Sequence, residues 1–175
     1  MMIGQKRLTM TRSEEWQRLS PEHARLIENL QNDPKIRLGE IATQLGLIAK
    51  VSTLPANISG EIRPDGNARS GFVIRINRHE AKARQRFSLA HEISHYLLHR
   101  DQIGDGLADD VLYRSKLSNR TEAEANRLAA DIIMPWHIVR QEIEGKNIKD
   151  TEVIKDIASR LGVSKDALEI RLGIK

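Results

Sequence analysis

Two histidines and a glutamate in the stretch HEISH have the types and spacing of a metal-dependent hydrolase. His91 and His95 are four residues apart. On a helix such residues lie on one face, so both imidazoles can reach a single metal ion. Glu92 follows the first histidine, where its carboxylate can take a proton from a water molecule that the ion activates. The motif therefore predicts two metal ligands, a general base and metal-assisted hydrolysis.

The flanking sequence predicts a half-buried helix for this motif. The stretch from Ala83 to His99 contains no Gly or Pro, and its apolar residues recur at helical spacing. The two histidines of the motif border this apolar stripe, at the edge of a predicted core. His99 lies one turn further on, but three successive histidines on one helix spread too widely for one tetrahedral ion. We therefore expect His99 to lie beside the metal site as a neighbour or supporting group of a ligand, and not to bind the ion itself.

The third metal ligand must come from another element, because a catalytic zinc ion uses three protein ligands and keeps one position open. A second amphipathic helix, predicted from Thr121 to Pro135, contains the candidates Glu122 and Glu124. Glu122 lies on the same face as the alanines of this helix. Glu124 fits a capping box with Thr121, in which its side chain reaches back to the first amide. We favour Glu122 as the ligand and expect Glu124 to act as a cap.

The donor types and the composition limit the metal and the partners. Zinc is the default ion for two histidines and a glutamate, and manganese or iron could use the same ligands. The chain has no cysteine, which excludes thiolate ligands and disulfides. Its net charge is +4, but only 3% of its residues are aromatic, so it lacks the stacking platforms that bind single-stranded nucleic acids. No stretch approaches a transmembrane span and no signal region is evident, so we expect a cytoplasmic protein without membrane contacts.

The two helical segments together resemble the ImmA/IrrE family of metallo-endopeptidases. The resemblance rests on RQRFSLAHEISHYLLH (84–99) and EAEANRLAADIIMP (122–135), with a glycine-turned β segment at 58–78 before them. It covers about residues 35–175, which is most of the chain.

The resemblance implies an activity and a set of site residues. By it, His91, His95 and Glu122 are metal ligands and Glu92 is the catalytic base of a zinc endopeptidase. Asn126, one turn after the glutamate ligand, matches a position that would support a ligand. The expected chemistry is peptide-bond hydrolysis, in which Glu92 takes the proton of the attacking water and returns it to the leaving amine.

The resemblance also suggests a protein partner, although nothing in the sequence of the two motifs identifies it. It implies a helix-turn-helix repressor or an antitoxin, cleaved to relieve repression. An alternative from another class is a metal-containing regulator or toxin–antitoxin binding module that keeps the ligands without cutting. Glu92 argues against this alternative, because a structural metal site needs no base between its histidines.

A side chain that stabilises the oxyanion should complete the site. The candidates are Tyr96, His99, Tyr113 and Arg114. We prefer Tyr113, because it belongs to a predicted strand, Asp110 to Leu117, that we expect beside the metal helix. If this strand lies at a sheet edge, its main chain could pair with an extended peptide.

The remaining pattern predicts an α+β fold, with a small, mainly antiparallel sheet of about three to five strands packed on the metal helix. Residues 1–34 read as a polar segment, frayed over its first twelve residues, and a helix capped by Ser20. Residues 35–147 read as the metallopeptidase core, and residues 148–175 as a C-terminal subdomain packed on it. Before the metal helix the core has a helix at 35–45 and strands at 47–54, 59–63 and 71–78.

The C-terminal stretch from Ile154 to Ile174 has the spacing of a helix-turn-helix unit, with a turn at Gly162 and an N-cap at Ser164. The exposed positions of its second helix carry mixed charges without the Arg, Asn and Gln cluster that reads bases. This count argues against direct binding of nucleic acid. We expect the helix pair to close the fold over the metal helix.

Overall fold

The structure, a computed structural model, describes residues 9–104 and 119–175. Within these residues it contains eight α-helices and one sheet of three strands, an α+β arrangement. In chain order they are α1 (Glu14–Gln17), α2 (Pro21–Asn29), α3 (Leu38–Gln44), β1 (Ile48–Ser52), β2 (Gly60–Pro64), β3 (Phe72–Asn77), α4 (Lys82–His99), α5 (Asn119–Ile133), α6 (Trp136–Ile143), α7 (Thr151–Leu161) and α8 (Lys165–Arg171).

Local signals in the sequence set the ends of several helices. The Ser20 hydroxyl accepts a hydrogen bond from the amide of His23, which caps α2 at its start. Gly162 has φ +68°, the left-handed conformation that ends α7, and Ser164 caps the start of α8. The predicted pair of C-terminal helices is confirmed. It could be predicted because the residues that end one helix and begin the next act only on neighbouring backbone.

The sheet is mixed, so the prediction of a mainly antiparallel sheet was wrong. The strand order is β1–β3–β2, with β2 and β3 antiparallel but β1 and β3 parallel. The loop after β1 passes across the end of β3, so that β1 and β2 lie on opposite sides of β3. Hydrophobic alternation predicts that a segment is a strand, but it does not say on which side of its neighbour the strand pairs.

Asn77, at the end of β3, fixes that crossing loop. Its side-chain amide donates to the carbonyl oxygens of Leu54, Pro55 and Ile58 at 2.9–3.2 Å. Its side-chain oxygen accepts from the amide of His79. Asn77 is only 2% exposed, and its contacts with the carbonyl oxygens of Leu54 and Ile58 are buried, whereas that of Pro55 also accepts from the amide of Ile58.

Helix α4 lies between the sheet and α5, contacting β2 and β3 on one side and α5 on the other. Ala90 and Ile93 of α4 have no exposed surface and belong to the main hydrophobic cluster. That cluster also contains Trp16 near one end of the described chain and Leu168 near the other. One core therefore includes side chains from all three predicted segments, while the boundaries proposed at residues 34 and 147 stay predictions.

Residues 9–12 are held by tertiary contacts, so the expectation of a frayed N-terminal segment was wrong for these residues. The indole of Trp136 donates to the carbonyl oxygen of Thr11 at 2.8 Å, and Arg140 donates to that of Met10 at 2.7 Å. Both donors belong to α6, a helix that the sequence analysis did not predict. A polar segment without periodicity can still be ordered when a distant helix binds its backbone.

In the part of the chain that the structure describes, none of the helices combines the length and the hydropathy needed to cross a membrane. The predicted strand Asp110 to Leu117 lies outside the described residues.

We expect Asn77→Ala to lower the free energy of unfolding by about 1–3 kcal/mol, because it removes the side-chain donor from the buried carbonyl groups of Leu54 and Ile58. Urea denaturation followed by circular dichroism would measure the loss. Asn57→Ala is the matched control, because Asn57 lies exposed in the same loop. Equal stabilities of the two variants would contradict the role given to Asn77.

Candidate metal centre

The two histidines of the HEISH motif lie one above the other on α4. Their Nε2 atoms are 3.0 Å apart, and their rings meet edge to face with centroids 4.6 Å apart. His95 is almost fully buried, whereas His91 keeps 13% of its side chain exposed. The pair therefore borders the core on one side and open space on the other.

Glu122 of α5 completes a group of three. Its two carboxylate oxygens lie 3.1 Å from His91 Nε2 and 3.2 Å from His95 Nε2. Among the described residues this is a set of side chains whose ligand atoms converge closely enough to hold a metal ion. Two atoms bound to one zinc ion at about 2.0–2.1 Å in tetrahedral geometry lie about 3.3 Å apart. The spacing and the donor types fit a divalent ion.

The electrostatics of the group also suit a cation. The pKa of Glu122 is held well below its usual range, mainly by the hydrogen bonds from the two imidazoles, so its carboxylate is ionised near neutral pH. Burial lowers the pKa of His91, but its hydrogen bond to Glu122 and the charges of Glu92 and Glu122 outweigh burial and raise it. An ion bound between these ligands would displace a proton, which makes binding dependent on pH.

Asn126, one turn after Glu122 on α5, contacts the outer nitrogen of His91. The distance from His91 Nδ1 to the Asn126 side-chain oxygen is 2.8 Å. A neutral imidazole that offers its Nε2 lone pair to an ion carries its proton on Nδ1, and here that proton meets an acceptor. The resemblance implied this supporting contact.

A longer hydrogen-bonded chain stands behind His95. Its Nδ1 lies 3.0 Å from Nδ1 of His99, whose Nε2 lies 2.9 Å from a carboxylate oxygen of Glu124. We assign the protons from this network: His95 donates to His99, and His99 donates to Glu124. Only this direction leaves the Nε2 lone pair of His95 free for an ion.

The charges along this chain agree with that assignment. Burial lowers the pKa of His99, which favours its neutral form. Hydrogen bonds from His99 and then Arg18 lower the pKa of Glu124 to about 2, so it remains an anionic acceptor. The guanidinium groups of Arg18 and Arg120 each lie 3.0 Å from this carboxylate.

The expected role of Glu124 as a helix cap was wrong. Helix α5 begins at Asn119, so Thr121 is already its third residue and cannot be the residue before the first turn. Successive residues turn by about 100° along a helix, so two positions separate Glu122 and Glu124 by about 200°. The two carboxylates leave different sides of α5, one towards the paired Nε2 atoms and the other towards His99.

Glu92 is 2% exposed and lines the same cleft as His91 and Glu122. Its charge acts on His91, as the pKa of that imidazole shows. The structure therefore places the predicted base beside the candidate ligands.

The predicted oxyanion candidates have different outcomes. Tyr113 and Arg114 lie outside the described residues. Tyr96 is 5% exposed and packs edge to face on Phe72, with Arg100 stacked over its ring, so it is a core side chain. His99 is engaged between His95 and Glu124.

An open cleft of about 970 Å³ lies over the group. Its lining comes from the N-terminal segment, the start of β2, helices α4 and α5, and helix α8. The C-terminal helix pair was expected to close over the metal helix, but neither Ser13 of the N-terminal segment nor Ile170 of α8 was predicted to line a cleft. No local pattern marks these residues, because they reach the cleft only through tertiary contacts.

Two imidazoles, one buried and one half-buried, and a carboxylate under an open cleft define a candidate metal-dependent hydrolase centre. The family model Peptidase_M78, described as IrrE N-terminal-like domain, matches residues 50–173. The chain belongs to this family of peptidases, the ImmA/IrrE family that its motifs resemble.

A solved structure titled Mycobacterium tuberculosis transcriptional regulator is 15% identical, with a TM-score of 0.48, over 86% of this chain and 46% of that chain. The present chain thus spans about half the length of that protein. A search of curated proteins found no match.

We expect Glu124→Leu to weaken metal binding by about 10- to 100-fold, although this side chain contacts no candidate ligand directly, because His99 would lose the acceptor that orients it. Glu124→Gln should have a smaller effect, since its amide oxygen can still accept from His99. Competition with a chromophoric chelator would measure each affinity.

Arg120→Ala is the matched control, because it removes an exposed partner of the same carboxylate and leaves His99 in contact with Glu124. Its metal affinity should stay within about twofold of the wild type, as an exposed ion pair contributes little. A folded Glu124→Leu protein that binds metal as tightly as this control would show that the hydrogen bonds from His95 through His99 to Glu124 do not support metal binding.

Proposed function

We propose that the protein is a metal-dependent endopeptidase, with His91, His95 and Glu122 as metal ligands and Glu92 as general base. The observation that supports this most is the convergence of the three ligand atoms beside a buried glutamate, in a chain of a peptidase family. Zinc is the ion that this donor set favours first, and manganese or iron could use the same ligands.

The proposed reaction divides its tasks among the residues of the cleft. A divalent ion held by the three ligands supplies an electrophile that acidifies a water molecule and polarises the peptide carbonyl group. The carboxylate of Glu92 accepts the proton of the attacking water as the new carbon–oxygen bond forms. It then delivers this proton to the peptide nitrogen as the carbon–nitrogen bond breaks, so Glu92 ends as it began.

The surrounding contacts support the ligands during these steps. Asn126 holds the ring of His91, and the chain through His99 to Glu124 holds the ring of His95. Both imidazoles are thus kept with their Nε2 lone pairs directed at one point, which reduces the cost of organising the site when the ion binds.

The family resemblance leads us to propose a helix-turn-helix repressor or an antitoxin as the substrate. Cleavage would relieve repression, and such a partner would place the reaction in the cytoplasm. The cleft is open and lined from several elements, which suits a segment of polypeptide better than a small compact molecule. The rival class is a regulator that holds metal without cutting, and such a site has no need of a general base between its histidines.

We expect Glu92→Gln to lower peptide cleavage by about 10²- to 10⁴-fold while the protein keeps its metal, because Gln preserves the shape but accepts no proton. Elemental analysis would count the metal, and mass spectrometry would follow cleavage of a peptide mixture and of the protein encoded next to this one. Glu144→Gln is the control, because Glu144 is exposed outside the cleft. Undiminished cleavage by Glu92→Gln would assign the base to another residue.

We expect His95→Ala and Glu122→Ala to lose metal and activity together, because each removes a direct ligand. The loss of affinity should exceed that of Glu124→Leu, which acts through His99. Titration with zinc in the presence of a chelator would rank the three variants. If Glu124→Leu loses more metal than Glu122→Ala, the assignment of the two carboxylates is reversed.

A further inference from the structure

Helix α8, the second helix of the C-terminal pair, forms one wall of the cleft over the candidate metal centre. Ala167 and Ile170 of this helix line the cleft. Its opposite face packs into the core through Leu168, which has no exposed surface, and Leu172, which is 2% exposed. The helix thus has a core face and a cleft face, and Ile170 belongs to the latter.

Polar and stacking contacts hold the wall against α5 and α6. Arg171 donates to the carbonyl oxygen of Met134 at 3.1 Å and to the carboxylate of Asp131 at 2.8 Å. Its guanidinium group also stacks over the ring of Trp136, 4.2 Å from the centroid. Asp131 has no exposed surface and accepts two further hydrogen bonds from Ser13, which lines the cleft as well. One buried carboxylate therefore joins two parts of the cleft wall.

The charged side chains on this part of the cleft are engaged with partners. Arg171 pairs with Asp131, Arg127 forms a two-pronged pair with Glu15, and Asp166 pairs with Lys175. Apolar side chains that line the cleft beside them include Phe87, Ala130, Met134, Ala167 and Ile170. An uncharged, apolar occupant complements this wall better than a charged one.

Ile170 is unusual in its exposure. Among the described residues the large exposed hydrophobic side chains are Val51, Ile170 and Ile174, and Ile170 is the most exposed, at 65%. It is also the one of these three that lines the cleft. A single exposed isoleucine is common on protein surfaces, but this one lines the cleft that contains the candidate catalytic residues. A ligand that covers its side chain would bind more favourably, because apolar surface would leave water.

We propose that the wall around Ile170 is a subsite for a large apolar side chain of a peptide, so that the C-terminal helix pair selects protein sequence. This inference rests on the proposed peptidase function, because the peptide that fills the subsite is the one that reaches Glu92. The same helix is poorly suited to DNA, since Lys165 is paired with Glu169 and Arg171 with Asp131. Few basic groups of the helix are left to contact phosphates.

The test uses the full chain loaded with zinc and a peptide mixture in which the residues near the cut bond vary. The wild type should prefer Leu, Ile, Phe or Met at one position. Ile170→Ser should reduce kcat/KM for those peptides by about 10- to 100-fold, the range expected for an apolar side chain that loses its partner. Ile170→Lys should move the preference at that position towards Asp and Glu. A change of preference cannot result from a mere loss of folded protein.

Ile174→Ser is the matched control, because Ile174 is 46% exposed, lies four residues further along the same unit and does not line the cleft. Its sequence preference and metal content should equal those of the wild type. If Ile170→Ser and Ile174→Ser select the same peptides, the subsite is overturned. If, in addition, the wild type binds duplex DNA and Lys165→Ala does not, α8 contacts DNA instead of a peptide.

A binding measurement separates this inference from the proposed function. Fluorescence anisotropy would follow the binding of labelled peptides to Glu92→Gln, with and without Ile170→Ser. Apolar peptides that bind through Ile170 but are never cut by the wild type would support the subsite and refute the peptidase. Peptides cut with a preference that ignores Ile170 would do the reverse. If the peptides are neither bound nor cut, both the subsite and the peptidase function are overturned.

Discussion

The packing of α5 against α4 is the contact on which the candidate centre depends. Glu124 of α5 contacts His99 of α4, Glu122 contacts His95 and His91, and Asn126 contacts His91. Alanines without exposed surface, Ala90 on α4 and Ala125 and Ala129 on α5, lie among these residues and allow a close approach. Because Glu122 contacts both histidines across this interface, a small shift of one helix would separate the ligand atoms.

The interface buries polar groups that are costly unless they are paired. His95, His99 and Glu124 are all less than 10% exposed, and a buried group without a partner costs free energy of about 1–3 kcal/mol. The hydrogen bonds from His95 through His99 to Glu124 give each of them a partner. The carboxylate of Glu124 is in turn paired with the exposed guanidinium groups of Arg18 and Arg120. The same contacts that make burial tolerable orient the imidazole of His95, so folding and ligand orientation are coupled.

The cleft depends on a second buried polar group, Asp131. It accepts hydrogen bonds from Ser13 and Arg171, which are far apart in sequence. Through this carboxylate, the N-terminal segment and the C-terminal helix pair are both joined to α5, the helix that also carries Glu122. The family model matches residues 50–173, and Ser13 precedes this range. The N-terminal segment therefore adds to the cleft from outside the matched part of the chain.

The sequence by itself determined the features that depend on neighbouring residues. The i, i+4 spacing placed His91 and His95 on one helix face, and Gly162 and Ser164 set the turn between α7 and α8, because these contacts lie within one or two turns of backbone. Helical periodicity also separated Glu122 from Glu124 correctly by face, although the capping role given to Glu124 was wrong.

Only the tertiary structure decided how the elements meet. The parallel pairing of β1 with β3, the contact between His99 and Glu124, and the place of Ile170 on the cleft wall have no local signature. Each joins residues that are 25 or more positions apart or depends on which surface a helix buries. Such contacts are selected by the burial of the whole core, and a pattern of a few residues does not contain that information.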